Sequence, residues 1–200
     1  MEFLAVLFSA VVGCARAGRR RWLGGLLLAL ALSAPRAAAE APAPPPEYQV
    51  KAVFLFNFAQ FVDWPAQAFP DAGAPLVIGV LGDDPFGTYL DELVRNEKIG
   101  GRPLVVRRFE RVQDIRECHI LFVSRNAAGQ FDRIAADLQG RSLLTVGDTE
   151  NFSRLGGMVR FVTENGKIHL RINVEAAKES GLTISSKLLR WATIVTKEKG

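Results

Sequence analysis

Two groups of side chains in this sequence could do chemistry. Asp83, Asp84 and Asp148 follow apolar runs, and clustered carboxylates suit a hard divalent cation, so a metal-assisted hydrolase could be drawn on them. Their competing use is structural, because Asp83-Asp84-Pro85-Phe86-Gly87 holds the residue types that a turn leading into a helix requires. Arg160, His169 and Arg171 form the second group. They are expected on one face of a β-hairpin, where two guanidiniums and an imidazole would hold a small anion; otherwise they are simply its solvent-facing side. Nucleophilic and zinc chemistry lack their residues: there is no G-x-S-x-G, C-x-x-C or H-E-x-x-H, and of the two histidines His119 lies inside a buried-strand pattern. No catalytic residue, metal site or cofactor is therefore assigned, and the chain is read as non-enzymatic.

The elements that position these groups follow from hydrophobic patterning. Tyr48 to Trp64 carries Val50, Phe54, Phe58, Phe61 and Val62 at helical spacing and is stopped by Pro65, which predicts a core helix. Phe56, Asn57 and Trp64 should leave its core face and offer a partner surface. Leu76–Leu81, Leu104–Phe109, Cys118–Ser124 and Leu143–Val146 are short runs apolar on both faces, separated by helical patterns at Thr88–Val94 and Ala128–Leu138. That alternation describes an α/β fold, a mixed and mostly parallel sheet with helices on both faces. Three of the runs end in Gly82-Asp83-Asp84, Ser124-Arg125-Asn126 and Gly147-Asp148-Thr149, outlining a crevice at the carboxyl ends of the strands.

The last third reads differently. Gly157–Thr163 and Lys167–Asn173 flank Glu164-Asn165-Gly166, and Asn-Gly between apolar runs is a hairpin signature. With Glu164 opposite Lys167, Val159, Phe161 and Thr163 share a core face with Ile168, Leu170 and Ile172, leaving Arg160, Val162, His169 and Arg171 on the other. Asn173 can cap a helix over Val174–Ser180 ended by Gly181, and Ser185 a last helix through Leu188, Leu189, Ala192 and Val195.

The formal charge of +4 over 200 residues sits almost wholly at the front. Residues 1–39 hold five arginines against Glu2, so the remainder carries twenty basic and twenty acidic side chains, and no nucleic-acid partner is expected. Arg19-Arg20-Arg21, the apolar run Trp22–Leu32 and Ala37-Ala38-Ala39 have the order of a cleaved signal peptide, which predicts export to the periplasm. The run of eleven is short of the roughly 20 residues of a membrane span. The expected organisation is a signal peptide over 1–39, a Pro/Ala linker over 40–46, one α/β domain over 47–196 and a polar tail over 197–200. Removing the leader removes Cys14 and leaves Cys118, expected as a buried small hydrophobe.

Lys51-Ala52-Val53-Phe54-Leu55-Phe56-Asn57-Phe58-Ala59-Gln60-Phe61-Val62-Asp63-Trp64-Pro65 resembles the opening signature of the YfiR family of exported bacterial proteins. Gly79-Val80-Leu81-Gly82-Asp83-Asp84-Pro85-Phe86, Cys118-His119-Ile120-Leu121-Phe122-Val123-Ser124, Leu144-Thr145-Val146-Gly147-Asp148, Gly156-Gly157-Met158 and Ile172-Asn173 through Leu188-Leu189 resemble further family segments in the same order. The resemblance implies a periplasmic regulator that binds the outward-facing part of an inner-membrane diguanylate cyclase, or another sensor protein, and holds cyclic di-GMP synthesis down. It also implies a homodimer and a small ligand. In the family's namesake control is tied to disulfides. Here only Cys118 remains, with Ile78 or Val80 where a partner cysteine could stand, so an intramolecular disulfide switch is not expected. The alternative is a small-ligand or anion-sensing module serving another envelope receptor.

Overall fold

Runs that are apolar on both faces need cover on both sides, and in the computed structural model, which describes residues 46–196, they form the centre of one sheet. The leader expected over 1–39, residues 40–45 and the tail over 197–200 lie outside the described residues. In chain order the strands are β1 (Val62–Asp63), β2 (Leu76–Leu81), β3 (Lys98–Ile99), β4 (Arg102–Phe109), β5 (Ile120–Val123), β6 (Leu144–Gly147), β7 (Val159–Glu164), β8 (Lys167–Asn173), β9 (Thr183–Ile184) and β10 (Ala192–Val195). The helices are α1 (Pro46–Phe61), α2 (Thr88–Val94), α3 (Arg125–Ala128), α4 (Phe131–Asp137), α5 (Val174–Glu179) and α6 (Ser186–Leu189). The eight-stranded sheet runs β10-β8-β7-β6-β5-β2-β4-β3, and β1 and β9 form a separate two-stranded ribbon. β4, β2, β5, β6 and β7 are parallel, β8 reverses through the hairpin, and β10 is parallel to β8.

Alternation along each strand divides the core in two. Ile78, Val80, Ile120, Phe122, Leu144 and Val146 face α1 and α2, joined by Leu55, Phe58, Phe86, Leu90, Phe161 and Ile172. Leu81, Leu121 and Val123 face the other way, against Ile115, Cys118, Phe131, Ile134, Leu138 and Phe152. The hairpin has the predicted register, Glu164 opposite Lys167 and Val159 opposite Ile172. Asn165 and Gly166 both have positive φ, as this turn demands.

Several expectations are corrected. The first helix ends at Phe61, because Val62 and Asp63 pair with Ile184 and Thr183. Its buried face is Lys51, Ala52, Leu55, Phe58 and Ala59, whereas Val50 is 46% exposed. A helix apolar on nearly every side has no periodic signal to tell its faces apart. The helix expected over Ala128–Leu138 is two pieces, α3 and α4, parted at Gly129-Gln130. The C-terminal helix does begin at Ser185, whose hydroxyl accepts from the Lys187 N–H, but it stops at Leu189, and Ala192 and Val195 belong to strand β10. Thr193, Ile194 and Val195 include two β-branched valine/isoleucine side chains and a threonine, and the exposed flank of β8 supplies the missing ladder partners. Asn173 caps α5 as expected, accepting from the Ala176 N–H at 3.0 Å.

Candidate functional site

The order of strands reverses at β2: the chain passes from β2 through α2 to β4 on one side, then returns to β5 on the other. α2 lies in one half of the core and α4 in the other, so the loops after β2 and β5 diverge, and a crevice of the kind that takes ligands in α/β folds would open between them. Here it is filled. Ser124 Oγ donates to the Leu81 carbonyl at 2.8 Å, and the Asp83 N–H donates to Asn126 Oδ1 at 3.1 Å. Gly82 has φ of 86°, and a Cβ there would run into Ser124 Oγ and Asn126 Oδ1, which is why glycine stands at this close approach.

The carboxylates that could have shared a cation are held apart. Asp84 accepts from the Phe86 N–H at 2.8 Å and from Arg108 Nε at 2.8 Å, so it closes a turn and pairs an arginine of β4. Asp148 faces a different set of partners. Among the described residues no group of three His, Cys, Asp or Glu side chains is arranged to hold a metal ion.

What does assemble at this end of the sheet is an ion-pair cluster at the first turn of α1. Lys51 Nζ, in a side chain only 1% exposed, lies 2.6 Å from Asp148 Oδ2 and 2.6 Å from Glu47 Oε1. Tyr48 donates its hydroxyl to Asp148 Oδ2 at 3.0 Å, and its ring lies 4.3 Å from the ammonium. Arg125 approaches from solvent, Nε 3.3 Å from Asp148 Oδ1. Glu47 also accepts from Thr163 Oγ1 at 3.0 Å, tying the same turn to the hairpin. Burial alone would raise the Asp148 pKa, but Lys51, helped by Tyr48 and Arg125, holds the carboxyl below its usual range. Tyr48 is pushed up to about 12, first by burial and then by the Asp148 charge. The cluster uses its charges on one another, so it fastens α1 across the ends of β5 and β6. Sequence reasoning missed Lys51. The available signal was a lone lysine within an apolar helix, four residues after a glutamate, since lysine is almost never buried without a partner.

His119 is a satisfied core histidine. Its Nδ1 accepts from the Val77 N–H at 3.0 Å, which leaves Nε2 to donate to the Ala68 carbonyl at 3.2 Å, and the ring stacks on Phe69 at 4.3 Å. Burial lowers its pKa. A histidine whose folded pKa is depressed binds its proton more readily unfolded, so stability falls as pH drops below the unfolded value of 6.5 and continues to fall until the folded pKa is reached. Urea midpoints measured from pH 7.5 to 5 should therefore decline in the wild type, and decline less in His119→Gln. Cys118 is buried, with its thiol at 3.2 Å from the Ile120 carbonyl and pushed up to about 12 by burial. Ellman-type labelling is expected to be negligible in the native protein and stoichiometric in urea.

The hairpin brings Arg160 and Arg171 directly opposite each other; His169 is two pairs nearer the tip, opposite Val162. His169 and Arg171 are exposed and Arg160 is half-buried. Of the residues expected at a partner surface, Asn57 lies with Val50 and Val53 on the outward stripe of α1, where Val50 and Val53 are 46% and 38% exposed. Phe56 is half-buried and packs against the core at the flank of that stripe. Trp64 is more committed inward, since its indole N–H donates to the His119 carbonyl at 3.2 Å. The largest exposed apolar side chain among the described residues is Trp191, 82% accessible just before edge strand β10; reading that segment as a helix hid it. No helix of the described residues is long and apolar enough to cross a membrane.

The YfiR/HmsC-like family model matches residues 48–193, a span that includes Tyr48, Lys51, Arg125 and Asp148 of the cluster, both hairpin arginines and His169. No curated protein matches the chain.

Proposed function

The chain belongs to the YfiR/HmsC-like family, and from that premise we propose that it is a periplasmic regulatory protein which restrains an inner-membrane diguanylate cyclase by direct contact. The observation that carries this is the family match over nearly all of the described residues. The mutually paired charges at the strand ends support a protein that acts by contact rather than by turnover. Its contact surface would be the outward stripe of α1, Val50, Val53 and Asn57 with Phe56 beside them, extended by Trp64 at the helix end. Two exposed valines flanked by Phe56, on a helix pinned at its first turn, present a rigid apolar strip to a partner.

The test is recovery of partners from the envelope fraction with tagged protein, together with cyclic di-GMP measured in cells lacking it. A membrane-bound diguanylate cyclase in the recovered material and a raised nucleotide level are expected. Val53→Glu should abolish the recovery while leaving the circular dichroism spectrum unchanged. No cyclase and an unchanged nucleotide level would overturn the reading. A second reading, a ligand-sensing module for another envelope receptor, is favoured by one observation: Arg160 Nε is buried without a hydrogen-bond partner.

A further inference from the structure

Arg160 and Arg171 are Cα partners on neighbouring antiparallel strands, and Thr193 stands beside Arg171 in the parallel register of β10. Register partners project from the same face of a sheet, so three donor-bearing side chains from three adjacent strands share the face turned away from Phe161, Leu170 and Ile172. No residue of β7, β8 or β10 enters the core beneath α4, and on this face Arg171 and Thr193 are exposed while Arg160 is half-buried.

The charges on it are not balanced. Like charges directly opposite each other destabilise a strand pair. Arg171 reaches one carboxylate, Glu164, at 3.9 Å between exposed side chains, and Arg160 makes no ion pair with any described residue. Arg160 Nε is also buried without a hydrogen-bond partner, and a buried donor left unpaired costs its full desolvation. Burial and the neighbouring Arg171 both disfavour the Arg160 cation, and Glu150 and Glu164 offset them only in part. An anion bridging the two guanidiniums would remove the repulsion and supply the missing acceptor together.

We propose that Arg160, Arg171 and Thr193 form a binding site for a phosphoryl group, with Glu164 as the internal carboxylate that the ligand displaces from Arg171. A planar carboxylate has two oxygens and satisfies one guanidinium fork, whereas a phosphoryl group has three peripheral oxygens and up to two negative charges, matching two forks and a hydroxyl. His169, two pairs nearer the tip on the same face, is left to meet whatever the phosphoryl group is attached to. This inference rests on the ligand-sensing reading, whose ligand class it names, and is independent of the cyclase.

The test is calorimetric titration of the purified protein with inorganic phosphate at low ionic strength. Binding at one site is expected, weakened by about tenfold or more in Arg160→Gln and in Arg171→Gln. Glu164→Gln should tighten it, because the competing carboxylate is gone, an effect that a purely structural role for the arginines would not produce. Arg160→Lys, which keeps the charge and loses the fork, guards against misfolding and should bind with intermediate affinity. Flotation with phosphatidylglycerol and phosphatidylcholine vesicles distinguishes the source: selective capture by the anionic vesicles with a weak response to free phosphate identifies a lipid headgroup, and the reverse identifies a soluble phosphate. No heat with phosphate together with no flotation, or wild-type binding by both glutamine variants, overturns the proposal. Phosphate binding without recovery of a cyclase would leave this site standing and remove only the brake.

Discussion

Lys51→Met is expected to lower the unfolding free energy by about 3 kcal/mol, the lower end of what removing one member of a buried ion pair costs. The side chains of Lys51 and Asp148 are 1% and 2% exposed, so methionine would leave an ionised carboxylate in the interior. The cost stays at the lower end because Asp148 retains the Tyr48 hydroxyl at 3.0 Å and the Arg125 guanidinium at 3.3 Å. Adding Asp148→Asn to the same chain removes the stranded charge and should restore most of the loss, so the double-mutant cycle reads the coupling directly. Urea denaturation followed by circular dichroism makes the measurement, and a wild-type midpoint for Lys51→Met would refute the cluster. Acid supplies an independent check. The Asp148 pKa is depressed in the folded protein, so its contribution is complete above the unfolded value of 3.8 and disappears as pH falls through the lower folded value. That part of the acid limb should be reduced in Lys51→Met, where only Tyr48 and Arg125 still favour the carboxylate.

Gly157→Ala is expected to cost about 3 kcal/mol, at the upper end of the penalty for overfilling a packed core. A Cβ on Gly157 would run into Cδ1 and Cε1 of Phe152 and lie 2.8 Å from the Phe152 carbonyl oxygen. One on Gly147 would meet the opposite edge of the same ring, 2.6 Å from Cε2 and 2.8 Å from Cγ. The two glycines clamp one phenyl ring, which also packs on Phe131 at 4.4 Å between centroids. A ring can be shortened but a carbonyl cannot, and this separates the two sites. In a Phe152→Leu background the penalty of Gly147→Ala should largely vanish, while that of Gly157→Ala should persist in part. Equal relief at both positions would show that the backbone contact at Gly157 is not limiting. Thermal melts are sensitive enough, since a 3 kcal/mol loss in a domain of this size lowers Tm by roughly 6–12 °C.

These glycines lie in the Gly147-Asp148 and Gly156-Gly157-Met158 segments on which the family resemblance was drawn, yet nothing in the sequence says that one phenylalanine links them. Patterning made the first strand and helix of the sheet legible: strand Leu76–Leu81 and helix Thr88–Val94 have the expected bounds, because segments bounded by glycine, proline and aspartate leave few alternatives. The hairpin register was legible to the residue, since Asn165-Gly166 sets the turn and a one-residue slip would turn Phe161 and Leu170 to solvent, although the first strand runs Val159–Glu164 rather than Gly157–Thr163. The same register sets Arg160 and Arg171 opposite each other on one face.

The C-terminus was not legible in this way. Ser186–Val195 carries enough apolar residues at helical spacing to pass for one helix, but the segment lies beside the unpaired edge of β8, and pairing that edge favours strand for Ala192–Val195. The buried face of α1 was hidden for a different reason: with apolar residues almost all round, only the position of the sheet decides that Leu55 and Phe58 go in and Val50 and Val53 stay out. The Lys51 cluster combines both limits. The sequence by itself determined the α/β architecture, the hairpin register, the two facing arginines and the family, all of which depend on short-range periodicity or on motifs in order. Only the tertiary structure decided that Lys51 and Asp148, ninety-seven positions apart, would meet, because a salt bridge between a helix and a strand end depends on how the two pack and leaves no period in the chain.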